Sequence, residues 1–324
     1  MLPIGIFFAV LGICSLVVQV YEIIAMWTLA KAYVGFRFLF HSVLADIVLI
    51  LCYGIWQGAV IIFQTEITLP EHRMVVNVVT NTAWWASQYL TLIVSITRLI
   101  CIREPIYFQS WRSASCHFVC LLVWGWSFTQ SMIVNVIPGF ERLHYSAGHL
   151  GQTANWTAYA ESFTRIYYMT FNFGTIGTTV AIYALVAFYC RKHLQKFLVP
   201  MSNMGTMPRN LHLRRSGLQW KTTASEAHQL RVEHRLIFPS AISAVLAIIG
   251  QLLIVFEIFP RSWQEAAANL TFMLMILFNS LPRLMFSRLL RRAMISLVIK
   301  RRVSVIPKDG LAFTQTPTGL SLHM

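Results

Sequence analysis

Charge is scarce in this chain, and negative charge is scarcer. Charged residues fill 12% of the 324 positions, and only 12 are Asp or Glu against 26 Lys or Arg. With 56% hydrophobic residues, this composition excludes a soluble globular domain inside a hydrated, charged shell. Catalytic groupings are missing as well: the ten histidines lie mostly in loops and at the ends of apolar runs. No Ser-His-Asp set or HxxxH pair accompanies them, so the chain is not read as an enzyme. The six cysteines (Cys14, Cys52, Cys101, Cys116, Cys120 and Cys190) sit in apolar runs or beside basic loops. That placement offers no extracellular disulfide, and the spacing fits no zinc or other metal site. A net charge of +14 comes without a basic run interleaved with aromatics on polar ground, which argues against nucleic acid as a partner.

Long apolar sequence is what the chain has in abundance. Runs at residues 2–29, 38–63, 74–102, 117–137, 164–190, 236–259 and 266–286 each approach or exceed the ~20 residues a spanning helix needs. The expected fold is an all-α membrane protein, a single seven-transmembrane helix bundle embedded in a lipid bilayer. The first run lacks a basic start and a small-residue cleavage site, so it reads as a retained helix. With the N-terminus placed outside, the outer loops hold only Arg73, Arg142, Arg165 and Arg261 of the 26 basic residues. The rest fall on inner loops and the tail, the asymmetry expected of a cytoplasmic side. Asn155-Trp156-Thr157 then lies outside, where Asn155 is open to glycosylation. A second sequon at Asn269 is too close to the seventh run for modification. After that run, in residues 287–324, SRLLRRAMISLVIKRR sets Leu289, Leu290, Ile295 and Val298 among arginines. This reads as a short amphipathic helix on the anionic inner leaflet, followed by a cytoplasmic tail.

The third run carries the most information. Thr80, Asn81, Trp84, Trp85, Gln88 and Tyr89 occupy its first half, and Arg98 stands near its far end. An arginine there either snorkels to headgroups or faces the bundle interior. Asp46 lies mid-run in the second span and needs partners or a proton. Asn279 and Ser280 are its expected partners. Glu22, in the first span, either joins the same network or reaches the inner headgroups.

The stretch ITRLICIREPIYF around Arg98, with SVLADIVLI around Asp46, resembles the third and second helices of rhodopsin-like G-protein-coupled receptors. Arg98, Ile102 and Pro105 keep that family's register at the third helix and second inner loop. Tyr183 and the following RKHLQKF resemble the inner end of its fifth helix, and Trp124 or Trp126 its fourth-helix tryptophan. The departures are specific. Thr97 replaces the acid before the arginine and Leu99 the aromatic after it, no proline interrupts the middle of the sixth run, and NSLP (279–282) stands for the seventh-helix motif. Together with FRFLFHSVLADI, they make the chain similar to nematode serpentine chemoreceptors, classes v and g among them.

That resemblance implies a chemosensory receptor, N-terminus outside and C-terminus cytoplasmic, in the plasma membrane or a sensory cilium. A small odorant-like ligand is expected between the outer helix halves, at Thr80, Asn81, Trp84 and Trp85 of the third helix and Tyr167, Tyr168 and Asn172 of the fifth. No carboxylate stands at the family's amine-binding place on the third helix, which favours a neutral ligand. A heterotrimeric G protein is expected to engage Arg98, Ile102, Pro105, Tyr183, Arg191 and Lys192. Asp46, with Asn279 and Ser280, is either the site of a sodium ion or a protonated structural carboxyl; no other cofactor is implied. The same composition also admits a seven-helix ligand-gated channel or a membrane transporter.

Overall fold

The computed structural model describes residues 1–65, 67, 72–146, 148–202, 242, 244–253 and 260–299. Helix α1 is Leu2–Ala30, and α2, Val34–Ile50, runs through a π-helical stretch, Leu51–Trp56, into α3, Gln57–Phe63. Helix α4 is Arg73–Arg103, α5 the short Pro105–Gln109, and α6 Ser113–Val136. A two-stranded antiparallel hairpin follows, β1 His144–Tyr145 against β2 Gln152–Thr153, then α7 Trp156–Glu161 and α8 Phe163–Ser202. Helix α9 is Ala244–Leu253, α10 Arg261–Phe286 and α11 Arg288–Ile299.

Six helical stretches among the described residues are long and apolar enough to cross a membrane: Leu2–Ala30, Val34–Phe63, Arg73–Arg103, Ser113–Val136, Phe163–Lys192 and Trp263–Met285. The chain is an all-α, multi-pass membrane protein. Each of the six coincides with an apolar run read from the sequence. The remaining run, 236–259, is described at 242 and 244–253, where α9 is a shorter apolar helix. The basic segment 203–235 and the tail beyond 299 lie outside the described residues.

The burial pattern is inverted relative to a water-soluble protein. On α1, Ile6, Phe7, Val10, Ile13, Val17 and Ile24 are exposed, while Ser15, Gln19 and Glu22 are buried. On α6, Phe118, Leu121, Leu122, Trp126 and Phe128 face outward, while Ser127, Gln130, Ser131 and Asn135 face in. In lipid an apolar side chain loses nothing by exposure, so the polar groups are the ones that must find partners inside. Several do: the Ser131 hydroxyl donates to the Val78 carbonyl across to α4 at 2.9 Å, and the Tyr89 hydroxyl to Gln130 Oε1 at 2.8 Å; the buried Gln19 amide makes no hydrogen bond among the described residues.

Close backbone approach substitutes for the hydrophobic drive that lipid cannot supply between helices. A Cβ built on Gly54 would lie 2.8 Å from the Gly12 Cα, and one on Gly58 would lie 2.8 Å from the Ala9 nitrogen. Helix α1 thus rests backbone-to-backbone against the π-helical stretch and α3. The wide π turn also changes the local carbonyl pattern, and the Tyr53 carbonyl accepts from Asn269 Nδ2 of α10 at 3.0 Å. Helix α4 is the central element, packed against α2, α6 and α8. The bundle therefore has a hairpin end, bearing β1, β2 and α7, and an opposite end bearing α5.

Replacing Gly54 by Leu should separate α1 from the π-helical stretch, at a cost of about 1–3 kcal/mol from overpacking. Thermal unfolding of the detergent-solubilised chain is the check; an unchanged midpoint would show that this contact is dispensable.

Candidate functional site

Three helices meet at one arginine. Arg283 of α10 extends Nη2 to Asp46 Oδ2 on α2 at 3.2 Å and Nε to Glu22 Oε1 on α1 at 3.3 Å. Both carboxylates are fully buried, and Arg283 is 7% exposed. The two contacts differ in kind. The first is a directed hydrogen bond, whereas the Nε–Oε1 pair makes no aligned hydrogen bond and is held by charge. Ser87 of α4 donates its hydroxyl to Asp46 Oδ1 at 3.0 Å, and Asn279 bonds the same carboxyl. Ser280 donates to Glu22 Oε2. The sequence points to Asp46, Asn279 and Ser280 as one network, and the structure divides them: Asn279 serves Asp46, Ser280 serves Glu22, and Arg283 joins the halves. Glu22 belongs to the buried network and does not reach the headgroups.

Arg283 is the residue that sequence reading missed. In the sequence it is one more inner basic residue. The available signal is one acid within each of the first two apolar runs and one cation, in NSLPR, at the end of the seventh. In an apolar medium such charges are retained only when paired.

The expected ligand residues lie together toward the hairpin end, but as packed core. Trp85 is fully buried, stacked on Tyr168 at 5.4 Å and set edge-on to Tyr167 at 6.3 Å. Thr80 is fully buried and turns its hydroxyl back to the Val76 carbonyl; Asn81 is also buried. Trp84 donates Nε1–H to Asn172 Oδ1 of α8 at 3.1 Å, and Asn172 Nδ2 donates to Gln251 Oε1 of α9 at 2.8 Å. This relay ties α4, α8 and α9, and the ring of Trp84 meets Phe272 of α10 at 4.7 Å.

Toward the α5 end, the Arg98 guanidinium lies 5.6 Å from the ring centre of Tyr183, and both residues are buried. It faces the bundle interior, held over an aromatic face. Thr97 donates its hydroxyl to the Val94 carbonyl. Ile102 packs with Val186 and Cys190 of α8. Pro105 opens α5, and Arg191 and Lys192 are exposed on α8. A second arginine, Arg37 of α2, donates to the Ala30 and Trp111 carbonyls at 3.0 Å each, closing the loops around α5.

The leading cavity lies at the hairpin end, between the hairpin with α7, α10 and the π-helical stretch. Its walls include Tyr53, Gln152, Trp156, Glu265, Asn269 and Phe272. About 390 Å³ of space, part of it open to solvent, separates them. A second, similar cavity touches Ser87, Gln88, Thr179, Met275 and Asn279 in the middle of the bundle. Close to the first, burial pushes the Tyr159 phenol up to about 12 and the Tyr145 phenol well above its ordinary value, so both stay neutral. Asn155 is exposed, and its Oδ1 caps α7 by accepting from the Ala158 N–H at 3.3 Å. Asn269, by contrast, is 3% exposed.

Compared with models of known protein families and with curated proteins, the chain matches none.

Replacing Arg283 by Met would leave two buried carboxyls facing each other without a cation, a loss of about 3–5 kcal/mol. Combining it with Glu22→Gln and Asp46→Asn should recover most of that loss. Thermal unfolding of the wild type, Arg283→Met and the triple variant tests this; equal stability of Arg283→Met and wild type would rule out a structural ion pair.

Proposed function

We propose that the chain is a seven-helix chemosensory receptor that binds a small ligand toward the hairpin end and signals to a heterotrimeric G protein at the α5 end. One observation carries the reading: Arg98 of the central helix α4 is buried over Tyr183 of α8, beside the Ile102–Val186–Cys190 contact. A cation–aromatic contact contributes about 1–2 kcal/mol when desolvated, a size that suits part of a latch that opens. Helix α4 carries the Trp84–Asn172 bond in its other half. One rigid element therefore connects the two regions that a receptor has to couple. The register shared by Arg98, Ile102 and Pro105 with rhodopsin-like receptors, and with the nematode serpentine chemoreceptors among them, supports the same assignment.

In this reading the hairpin end faces outward, the N-terminus is outside, and the plasma membrane, in a sensory cilium or elsewhere, is the location. The run 236–259 completes seven spans. Helix α11, whose Leu290 and Ala293 pack on α1 and α2 while Arg291 and Arg292 are exposed, lies along the inner leaflet. Arg191 and Lys192 join the cytoplasmic surface that meets the G protein. Arg283 sits against Asp46 where a sodium ion would otherwise bind, so the guanidinium serves as the built-in cation of the network.

Two measurements test this. With a C-terminal tag, staining should require permeabilisation, and Asn155 should carry a glycosidase-sensitive sugar; a tag stained on intact cells would reverse the orientation and end the receptor reading. In a G-protein reporter assay, Arg98→Ala should change basal signalling by about threefold or more, given a contact of about 1–2 kcal/mol. Unchanged signalling would remove Arg98 from the mechanism.

A further inference from the structure

The cleft at the hairpin end carries a buried carboxylate on its wall. Glu265 of α10 presents a carboxylate whose side chain is 2% exposed. Its Oε2 accepts from His149 Nδ1 at 3.0 Å and its Oε1 from Trp156 Nε1 at 3.3 Å, both donors belonging to the segment between α6 and α8. Asn269, one turn further along α10, spends Nδ2 on the Tyr53 carbonyl, and its buried Oδ1 has no partner. A carboxylate and an orphaned amide oxygen thus border the same space, and the aromatic faces of Tyr53, Trp156 and Phe272 border it too.

An orphaned acceptor beside a buried carboxylate selects for what it lacks, which is a donor and positive charge. Aromatic faces add attraction for the same charge. His149 is the one polar partner of Glu265 that can leave cheaply: its side chain is 43% exposed, and it sits on the hairpin loop. That loop is seated tightly at Gly151, where a Cβ would fall 2.5 Å from the Glu265 carbonyl oxygen.

We propose that this cleft is the binding site for a small organic cation, a protonated amine bearing an apolar body, and that the His149 imidazole is its tethered stand-in on Glu265. The inference rests on the receptor reading for its purpose and revises that reading's neutral ligand. The carboxylate missing from the helix-three amine position is supplied by α10. The ammonium displaces His149 from Glu265 and donates to Asn269 Oδ1, while the apolar body lies against Phe272. From there the contact runs to Trp84 at 4.7 Å and on through Asn172 to Gln251. Ligand entry thereby reaches α4, α8 and α9 together.

The charge preference can be read without knowing the ligand. Ala268→Cys places a thiol on the cleft wall of the full chain in lipid nanodiscs, and Gln152→Cys, on the hairpin, places a second should the first not fold. Modification by 2-aminoethyl methanethiosulfonate, a cation, is timed against its 2-sulfonatoethyl anion by intact mass, with the parent chain subtracting its native cysteines. The cation-to-anion rate ratio should exceed that of free cysteine by on the order of tenfold. Glu265→Gln should remove most of that excess, and His149→Ala should raise the cation's rate. A ratio equal to that of free cysteine, an excess that survives Glu265→Gln, or a thiol unreactive to both reagents would overturn the site. Because no G protein takes part, selective labelling in a chain that never signals would sink the receptor reading and leave the cation site standing.

Discussion

The structure depends on one guanidinium. Arg283 is where α1, α2 and α10 agree on their relative heights, because Glu22 and Asp46 can share a cation only if both carboxyls come within about 3.3 Å of it. In water such a pair would contribute little, since solvent competes for every charge. In lipid the alternative to pairing is an isolated charge in hydrocarbon, so the pair acts as a constraint on geometry even where its net contribution to stability is modest. The triad also leaves a formal imbalance of two carboxyls against one cation. Ser87, Asn279 and Ser280 answer that imbalance by directing donors at the carboxyl oxygens, which draws α4 into the same assembly.

The remaining contacts are arranged around that fixed point. Toward the hairpin end, α1 and the π-helical stretch meet through glycines, a contact with no side chains to adjust and therefore little tolerance for sliding. Toward the α5 end, Arg98 rests on Tyr183 and Ile102 on Val186, contacts between side chains that can change rotamer. The α1–α2–α10 side is thus pinned by charge and by backbone. On the α4–α8 side, Arg98 lies over the Tyr183 ring, Trp85 stacks on Tyr168, and the Trp84–Asn172–Gln251 hydrogen bonds run on to α9. The second side is the one that carries the latch in the proposed mechanism.

Legibility in the sequence followed the same division. Apolar runs of spanning length announce themselves, and each of the six membrane-capable helices falls where a run was expected, because helix length is set by bilayer thickness and little else. Asp46 and Arg98 stood out because a charge in such a run demands explanation. Arg283 did not, since its place beside Pro282 near a basic stretch made it look like part of the inner border. Only the depth of Glu22 and Asp46 on neighbouring helices gives it a different meaning, and depth is a tertiary quantity. The π-helical stretch had no signal either: LCYGIW reads as ordinary apolar helix, and the extra residue in its turn is imposed by packing against α1 and α10.

Glu265 was hidden for a related reason. Near the start of an apolar run it reads as one acid among several in a polar border, and nothing local tells that its side chain is almost wholly buried. What buries it is the hairpin, whose own sequence, from His144 to Thr153, has no strong strand pattern and folds back because α10 gives Gly151 and His149 somewhere to rest. The hairpin and the carboxylate therefore depend on each other: without the acid the loop loses its polar anchor, and without the loop the acid is an ordinary surface charge. A contact of this kind is well placed to be exchanged. His149 satisfies Glu265 while keeping two-fifths of its side chain in solvent, so releasing it exposes little new surface. A ligand that replaces it must supply only slightly better chemistry at the carboxylate, and what it adds deeper in the cleft acts on Phe272 and the Trp84 relay.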